Sequence, residues 1–210
     1  MKMQSIRNRI ARDLHDEIGS TLSSISLSST IIQNQLKGNH PEADKMLRQV
    51  STNTDQMMEA LSDIVWAIDT RNDQFDNIVN RMRALAIEIL EPSNIDVQFK
   101  VSDDIRDVHL DLQQRKNLYL IFKEAVNNIS KYSYCDSVKV DITRQSNKTV
   151  LMHIQDNGKG FEMAGLNGEA KSLSGNGIRN MKKRAEELGG SLTIDSVPGA
   201  GTQLLLKFNL

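Results

Sequence analysis

Apolar residues recur at helical spacing over the first third of the chain. They fall along one stripe of a long helix: Ile6, Ile10, Leu14, Ile18, Leu22, Ile25, Ile32 and Leu36. Gly38 predicts the end of this helix, and Pro41 predicts the start of a second one. Apolar positions of the second helix alternate steps of three and four, the heptad pattern of coiled coils and four-helix bundles: Leu47, Val50, Thr54, Met57, Leu61, Ile64 and Ile68.

Two antiparallel helices of this length bury too little apolar surface by themselves. We therefore favour a homodimer in which two helical hairpins form a four-helix bundle, because the seam is long and the helix pair is terminal. The alternative is an intramolecular hairpin that docks onto the rest of the chain.

The remainder of the chain mixes helical and strand-like patterns. Polar residues 69–75 predict a linker, so the expected domains are residues 1–70 and 71–210. Helices are expected at about residues 76–91, Leu112–Ser133 and Ile178–Leu188, and strands at Ile95–Val101, Val138–Ile142, Val150–Ile154, Leu192–Ile194 and Leu204–Phe208. The expected class is α+β, with the helical hairpin followed by an α/β sandwich, one sheet covered by helices.

Composition excludes several kinds of protein. Lys plus Arg is 26 and Asp plus Glu is 27, a net charge of −1, which argues against nucleic-acid binding through a broad basic surface. The single cysteine, Cys135, excludes an intramolecular disulfide framework and a cysteine-rich zinc site. Without a bilayer-length apolar run or a secretory signal, we expect a reducing, aqueous compartment and no direct membrane contact by this segment.

Two glycine-rich segments are candidates for nucleotide binding. Asp156-Asn157-Gly158-Lys159-Gly160-Phe161 follows a strand, where a carboxylate can accept a hydrogen bond from an exocyclic amine and glycines allow close approach of a flat ring. Gly175-Asn176-Gly177-Ile178 opens a helix whose free N–H groups favour phosphate. A plain turn is the alternative for the first segment, and a solvated basic helix face is the alternative for the cationic residues after the second.

Glu124 and Asn128 are spaced to share one face of the helix Leu112–Ser133. A carboxylate and an amide oxygen that face the same way suit Mg²⁺. The alternative is a solvated surface pair.

The order of these motifs resembles the ATP-binding domain of the GHKL superfamily, which has a Bergerat-type fold. Lys123 to Asn128 resembles its N box, Asp156 to Gly160 its first glycine box, and Gly175 to Met181 its second. The resemblance implies ATP and Mg²⁺ as cofactors, with Asn128 as metal ligand, Asp156 reading adenine, residues 161–174 as a lid, and Glu124 positioning a water, the metal or an incoming nucleophile. The nucleotide-contacting set that it implies is Asn128, Lys131, Asp156, Gly158, Gly160, Gly175, Asn176, Gly177, Ile178 and Thr202.

His15 is the candidate phosphoryl acceptor in the first helix. It lies one step of about 100° from Leu14, so it should flank the core and reach solvent. The small neighbours Ala11 and Gly19 leave room for a phosphate. Asp16 could hold one ring nitrogen while the other attacks phosphorus, although its alternative role is a surface pair with Arg12.

The segment Arg9 to Gly19 resembles histidine kinases with a HisKA_3-type dimerisation domain. The resemblance implies a two-component sensor histidine kinase that autophosphorylates His15 with help from Asp16 and then phosphorylates an aspartate of a response regulator. It also implies an upstream sensor region, absent from this chain, through which the parent protein could be anchored in the inner membrane. Ser20 stands where the family often has Gln, and Tyr132 where the N box usually ends with His, which puts phosphatase activity and the phosphate contacts in question.

Two other function classes compete with the kinase interpretation. A GHKL ATPase would use Glu124 as the base for water and leave His15 unmodified. A non-enzymatic dimerisation scaffold would have a degenerate ATP site, against which the intact Asn128, Asp156 and paired glycines count.

Overall fold

The computed structural model describes residues 2–36, 40–69, 74–105, 108–146, 148–162 and 175–210, with the backbone alone described at residues 2–5, 8, 12, 15, 146, 175 and 176. The chain divides into two compact units, Met1–Asn72 and Asp73–Leu210. Most of the lid predicted over residues 161–174, the helix stop at Gly38 and part of the predicted linker lie outside the described residues.

The first unit is a helical hairpin. Its first arm consists of α1 (Lys2–Asp13), a π-helical segment (Leu14–Gly19) and α2 (Ser20–Leu36), and its second arm is α3 (Pro41–Ile68). α3 begins at the predicted Pro41, whose fixed φ suits the first helical position. Hydrogen bonds from Ser26 Oγ to Asp55 Oδ1 (3.4 Å) and from Gln33 Nε2 to Asp44 Oδ1 (3.0 Å) join the arms in an antiparallel register.

The contact between the two arms is rich in small and polar residues. Ser29 and Thr54 are buried, and the Thr54 hydroxyl donates to the Val50 carbonyl within its own helix. By contrast, Ile6, Ile10, Ile18, Ile25 and Ile32 of the predicted stripe are exposed in the single chain. The hairpin alone therefore leaves much of its apolar surface uncovered.

The second unit is a five-stranded sheet with helices on one face. Its helices are α4 (Phe75–Leu90), α5 (Leu112–Asn128) and α6 (Gly175–Glu187), with a π-helical segment at Ile129–Ser133 and short 3₁₀ turns at Glu91–Ser93 and Asp103–Ile105. Its strands are β1 (Asp96–Val101), β2 (Ser137–Ser146), β3 (Thr149–Asp156), β4 (Ser191–Ser196) and β5 (Thr202–Asn209). The strand order is β1-β2-β3-β5-β4, with β1 parallel to β2 and the other pairs antiparallel.

Period-two alternation determines which face of the sheet is covered. Every second residue of the three central strands is buried: Val138, Val140 and Ile142, then Val150, Met152 and Ile154, then Leu204, Leu206 and Phe208. α4, α5 and α6 pack on this face, and α5 starts at a capping box in which Asp111 and Gln114 bond each other's backbone N–H groups. The predicted α+β class, with a helical region followed by an α/β sandwich, is confirmed.

Candidate nucleotide site

A cavity of about 380 Å³ opens in the second unit between α5, its π-helical extension, the end of β3 and the start of α6. Its apolar wall includes Ala125, Ile129, Ile154, Phe161, Ile178, Met181, Ile194 and Leu204. Its polar positions include Asn128, Asp156, Lys159 and Thr202. A pocket with apolar walls and few polar groups is suited to a flat, mostly apolar ring that carries specific hydrogen-bonding atoms.

Asp156 lies at the end of β3 and is only 4% exposed. Burial raises the pKa of its carboxyl above the usual range, and hydrogen bonds from the backbone N–H groups of Gly158 and Thr202 oppose that rise. The Gly158 N–H lies 2.9 Å from Oδ1 and orients the carboxylate. A buried carboxylate has strong acceptor capacity, so a ligand amine that enters this cavity would find a partner there.

Glycines allow the turn after β3 to pack closely against its neighbours. A Cβ on Gly158 would collide with the main-chain carbonyl oxygen of Ser133, and it would also lie 2.9 Å from Oδ1 of Asp156. Gly160 lines the cavity with a φ of 58°, a left-handed conformation that is strained for residues with a side chain. This part of the site therefore depends on backbone approach that only glycine permits.

Thr202 enters the cavity from the start of β5. Its hydroxyl lies 3.0 Å from the hydroxyl of Ser196, which also accepts a hydrogen bond from the N–H of Phe161 (2.9 Å) and donates to the carbonyl of Gly201 (3.0 Å). These contacts tie the start of β5 to the turn after β3.

Glu124, Asn128 and Gly177 meet where α5 passes the start of α6. Asn128 Nδ2 lies 3.5 Å from Glu124 Oε1, and a Cβ on Gly177 would overlap that same carboxylate oxygen. Because the Asn128 amide nitrogen faces Glu124, its amide oxygen is directed away from the carboxylate. Glu124 thus lies against the second glycine segment, and Asn128, which contacts it, lines the cavity.

Four further residues of the predicted nucleotide-contacting set are Lys131, Gly175, Asn176 and Ile178. Lys131 is exposed on the π-helical segment and is not among the described residues that line the cavity. Gly175 and Asn176 form the first positions of α6, where only their backbone is described, and Ile178 lines the cavity.

Tyr132, Ser133 and Lys159 line the cavity, although none of them belonged to the nucleotide-contacting set implied by the sequence. The first two lie in the π-helical segment, which widens the last turn after α5 and ends at Tyr134 in a left-handed conformation (φ 54°). Because a π turn adds about one residue to the helical turn, 3.6-residue periodicity does not indicate which side chains face the cavity there.

The candidate acceptor, His15, lies in the other unit. Its backbone belongs to the π-helical segment Leu14–Gly19, and its side chain lies outside the described part. Asp16 is exposed and Ala11 is buried. The sequence predicted an uninterrupted α-helix here. Rotation per residue is smaller in a π turn than in an α turn, so angular positions counted at 100° per residue do not apply to this segment.

Within the described ranges, no helix has both the length and the apolar character needed to cross a bilayer.

Two family models match the chain. One, described as histidine kinase (HisKA_3), matches residues 7–86, and the other, described as histidine kinase-, DNA gyrase B- and HSP90-like ATPase (HATPase_c), matches residues 113–210. Among curated relatives, the sensor histidine kinase DesK of Bacillus subtilis is 30% identical over 206 residues, which is 97% of this chain and 51% of DesK. The sensor histidine kinase LiaS of the same species is 27% identical over 201 residues, 96% of this chain and 53% of LiaS. The chain thus spans about half the length of these relatives.

Solved structures agree on the fold. The histidine kinase domain of the blue-light activated kinase EL346 from Erythrobacter litoralis aligns with a TM-score of 0.55 at 16% identity, covering 91% of this chain and 94% of that one. The histidine kinase AdeS from Acinetobacter baumannii aligns with a TM-score of 0.57 at 16% identity, covering 86% and 93%. The family resemblance predicted from the motifs is confirmed.

Proposed function

We propose that this chain, which belongs to the two-component sensor histidine kinases, is a catalytic core that uses ATP to phosphorylate His15 and then passes the phosphoryl group to an aspartate of a response regulator. The observation that carries the proposal is the apolar cavity with the buried Asp156 carboxylate at one end and Asn128 at its edge. We assign dimerisation and phosphoryl acceptance to residues 1–70, and ATP binding to residues 71–210.

Adenine recognition follows from the contacts of Asp156. Its carboxylate accepts a hydrogen bond from the exocyclic amine, while the ring packs between apolar side chains such as Ile154 and Ile178. Gly158 and Thr202 keep the carboxylate oriented before the nucleotide arrives. Preorganisation of this kind lowers the entropic cost of binding.

The phosphates would lie toward the start of α6 and the Glu124–Asn128 pair. The backbone N–H groups of Gly175–Gly177 form the first turn of α6, where they would face the phosphates and the helix dipole favours negative charge. The described residues contain no group of three or more His, Cys, Asp or Glu that could hold a metal. We assign Mg²⁺ to Asn128 together with the phosphates, because Mg²⁺ often binds through one or two protein ligands with substrate phosphates and water. When bound, Mg²⁺ neutralises phosphate charge.

Phosphoryl transfer requires a neutral imidazole at His15. One ring nitrogen forms a bond to the γ-phosphorus as the bond from that phosphorus to the bridging oxygen breaks, and ADP leaves with the bonding pair. The proton on the other ring nitrogen then leaves to solvent. Asp16 fixes the tautomer and stabilises the transient positive charge, and Glu124 positions the reacting groups from the ATP side.

Exposed apolar residues on the hairpin support a homodimer. Two rows of them run at heptad spacing: Ile18, Ile25 and Ile32 along the first arm, and Val50, Met57 and Ile64 along α3. The antiparallel register places Ile18 level with Ile64, Ile25 with Met57, and Ile32 with Val50.

Both rows also lie on the same side of the hairpin. At about 100° per residue, each row lies roughly 70–90° from the face that contacts the other arm, in the same rotational sense along its own helix. In an antiparallel pair this sense brings the two rows to one side. Two hairpins that meet through this side would form the predicted four-helix bundle.

The chain spans about half the length of the sensor histidine kinases that it resembles. We assign sensing to a region of the longer protein outside this chain, which could hold the parent protein in the inner membrane. We assign the present segment to the cytoplasm, without nucleic-acid or direct membrane contact. Its protein partner is the receiver domain of a response regulator.

The test is incubation with γ-labelled ATP and Mg²⁺, comparing the unaltered chain with His15→Gln and with His40→Gln, an exposed histidine of the same unit. We expect acid-labile, base-stable label in the unaltered chain and in His40→Gln, and none in His15→Gln or Asn128→Ala. Steady phosphate release without protein label, under activating conditions, would contradict the kinase and favour an ATPase. Failure to bind any adenine nucleotide would favour a scaffold.

A further inference from the structure

Asn157 follows Asp156 directly, yet it is not among the described residues that line the cavity. Its side-chain oxygen accepts hydrogen bonds from the backbone N–H groups of Asp136 (3.2 Å) and Ser137 (3.1 Å). Its side-chain nitrogen donates to Oδ1 of Asp136 at 2.6 Å. We call this set of contacts the Asn157–Asp136 clasp.

Other contacts join the same two stretches of chain. The N–H of Lys159 donates to the carbonyl of Ser133 at 2.8 Å. The ammonium of Lys159 lies 4.2 Å from the centre of the Tyr134 ring, a cation–π distance. The segment 133–137 is therefore attached along its length to the turn 156–159.

Each of these two stretches carries part of the cavity wall. Tyr132 and Ser133 line it from the π-helical side, and Asp156 and Lys159 line it from the end of β3. The chain leaves the π-helical segment through Tyr134, in a left-handed conformation that non-glycine residues adopt rarely. Such a turn needs contacts that hold it, and the clasp supplies them at its far end.

We propose that Asn157 and Asp136 are positioning residues that set the separation of the two cavity walls and thereby the affinity for the adenine nucleotide. The proposal rests on the proposed function for the identity of the ligand. Neither side chain touches the ligand. They act through Ser133 and Tyr134 on one side and through the backbone next to Asp156 on the other.

The clasp has a polarity that isosteric exchanges can test. In Asn157→Asp the side-chain donor is lost and two carboxylates face each other at hydrogen-bond distance, which is unfavourable. In Asp136→Asn an amide oxygen can still accept from Asn157, so the clasp persists. In the double variant Asp136→Asn/Asn157→Asp the donor is on residue 136 and the acceptors are on residue 157, so every bond of the clasp can re-form.

The experiment measures ADP affinity by calorimetry and amide hydrogen exchange at Asp136 and Ser137 in the four proteins. We expect Asn157→Asp to weaken ADP binding about tenfold and to accelerate exchange of both amides. Asp136→Asn should stay within about threefold of the unaltered chain, and the double variant should recover most of the loss. The control is Asn34→Asp, the same isosteric change at an exposed helical position of the first unit, and it should change neither measurement.

Kinetics separate positioning from general damage. At saturating ATP the initial rate of His15 labelling should stay within about twofold in Asn157→Asp, while KM for ATP rises with the ADP dissociation constant. The proposal is overturned if Asn157→Asp binds ADP as tightly as the unaltered chain, or if the double variant is no better than Asn157→Asp. If the unaltered chain binds no adenine nucleotide, the proposed function fails. The exchange pattern then decides the clasp alone: protection lost in Asn157→Asp and restored in the double variant supports it, and any other pattern overturns it.

Discussion

Gly177→Ala tests whether Glu124 must lie against the second glycine segment. An ideal Cβ at residue 177 would lie 3.1 Å from Cδ of Glu124 and would overlap its Oε1. Because ordinary C···O contacts are about 3.3 Å or longer, Oε1 has to retreat by about 1 Å. Alanine is favoured over glycine in a helix interior by about 1 kcal/mol, and less in a first turn such as this one.

The displacement of Glu124 should affect the rate of His15 labelling, whereas the helix preference of alanine should affect the free energy of unfolding. The colliding atom is the end of a flexible side chain, so Glu124 can swing aside and the free energy of unfolding should stay level or rise by up to about 1 kcal/mol. A displacement of about 1 Å near the reacting groups can reduce a rate about 100-fold. We therefore expect a folded protein with a much lower rate of His15 labelling at saturating ATP.

Gly158→Ala is the contrasting variant in the same unit. There the new Cβ would collide with the main-chain carbonyl oxygen of Ser133, which cannot swing aside. We expect it to lower the free energy of unfolding by about 1–3 kcal/mol. The assays are thermal unfolding monitored by circular dichroism and initial rates with labelled ATP. A Gly177→Ala protein that labels His15 at the unaltered rate, or that loses as much stability as Gly158→Ala, would refute the reasoning.

Three further outcomes are expected. Burial raises the pKa of the Asp156 carboxyl, so the free energy of unfolding falls as the pH rises above the unfolded pKa of about 4. Asp156→Asn should therefore unfold at a higher denaturant concentration than the unaltered chain at neutral pH, and this difference should vanish near pH 4. ADP binding should weaken about 100-fold in the same variant. Tight ADP binding by that variant would contradict the assigned role. Ile25→Glu should give monomers in analytical ultracentrifugation. The control Leu27→Glu alters a more exposed residue (63% against 42%) outside the apolar rows and should remain dimeric. Equal behaviour of the two variants would exclude this dimer face. The Ser20 hydroxyl donates to the Glu17 carbonyl at 3.1 Å, so we expect the unaltered chain to dephosphorylate a phosphorylated regulator only slowly. Ser20→Gln should dephosphorylate it faster, which a shorter lifetime of the aspartyl phosphate would show. An unchanged lifetime would mean that another feature limits that reaction.

Local pattern was sufficient to predict most helices and strands. The start of α3 at Pro41 and the alternation of β3 and β5 depend on neighbours within a few residues, and those are visible in the sequence. The strand β2 runs on to Ser146, beyond the predicted Ile142, because its pairing with β3 continues. The prediction ended early because the later residues are polar, so the apolar alternation stops before the backbone pairing does.

The π-helical turns were not predictable in the same way. At Leu14–Gly19 and Ile129–Ser133 the helix widens, while the spacing of apolar residues in the sequence remains compatible with an α-helix. Tyr132 and Ser133 line the cavity but were not in the predicted nucleotide-contacting set.

The sequence by itself determined the helical hairpin, the sheet elements, the family and the acidic and glycine positions that identify a nucleotide-binding domain, because each depends on short-range periodicity or on motif order. Tertiary structure alone decided that Glu124 meets Gly177, that Asn157 bonds Asp136, and that Asp156 is buried. These contacts join residues far apart in the chain. They depend on how helices and strands pack, and the chain's local conformational preferences do not encode that packing.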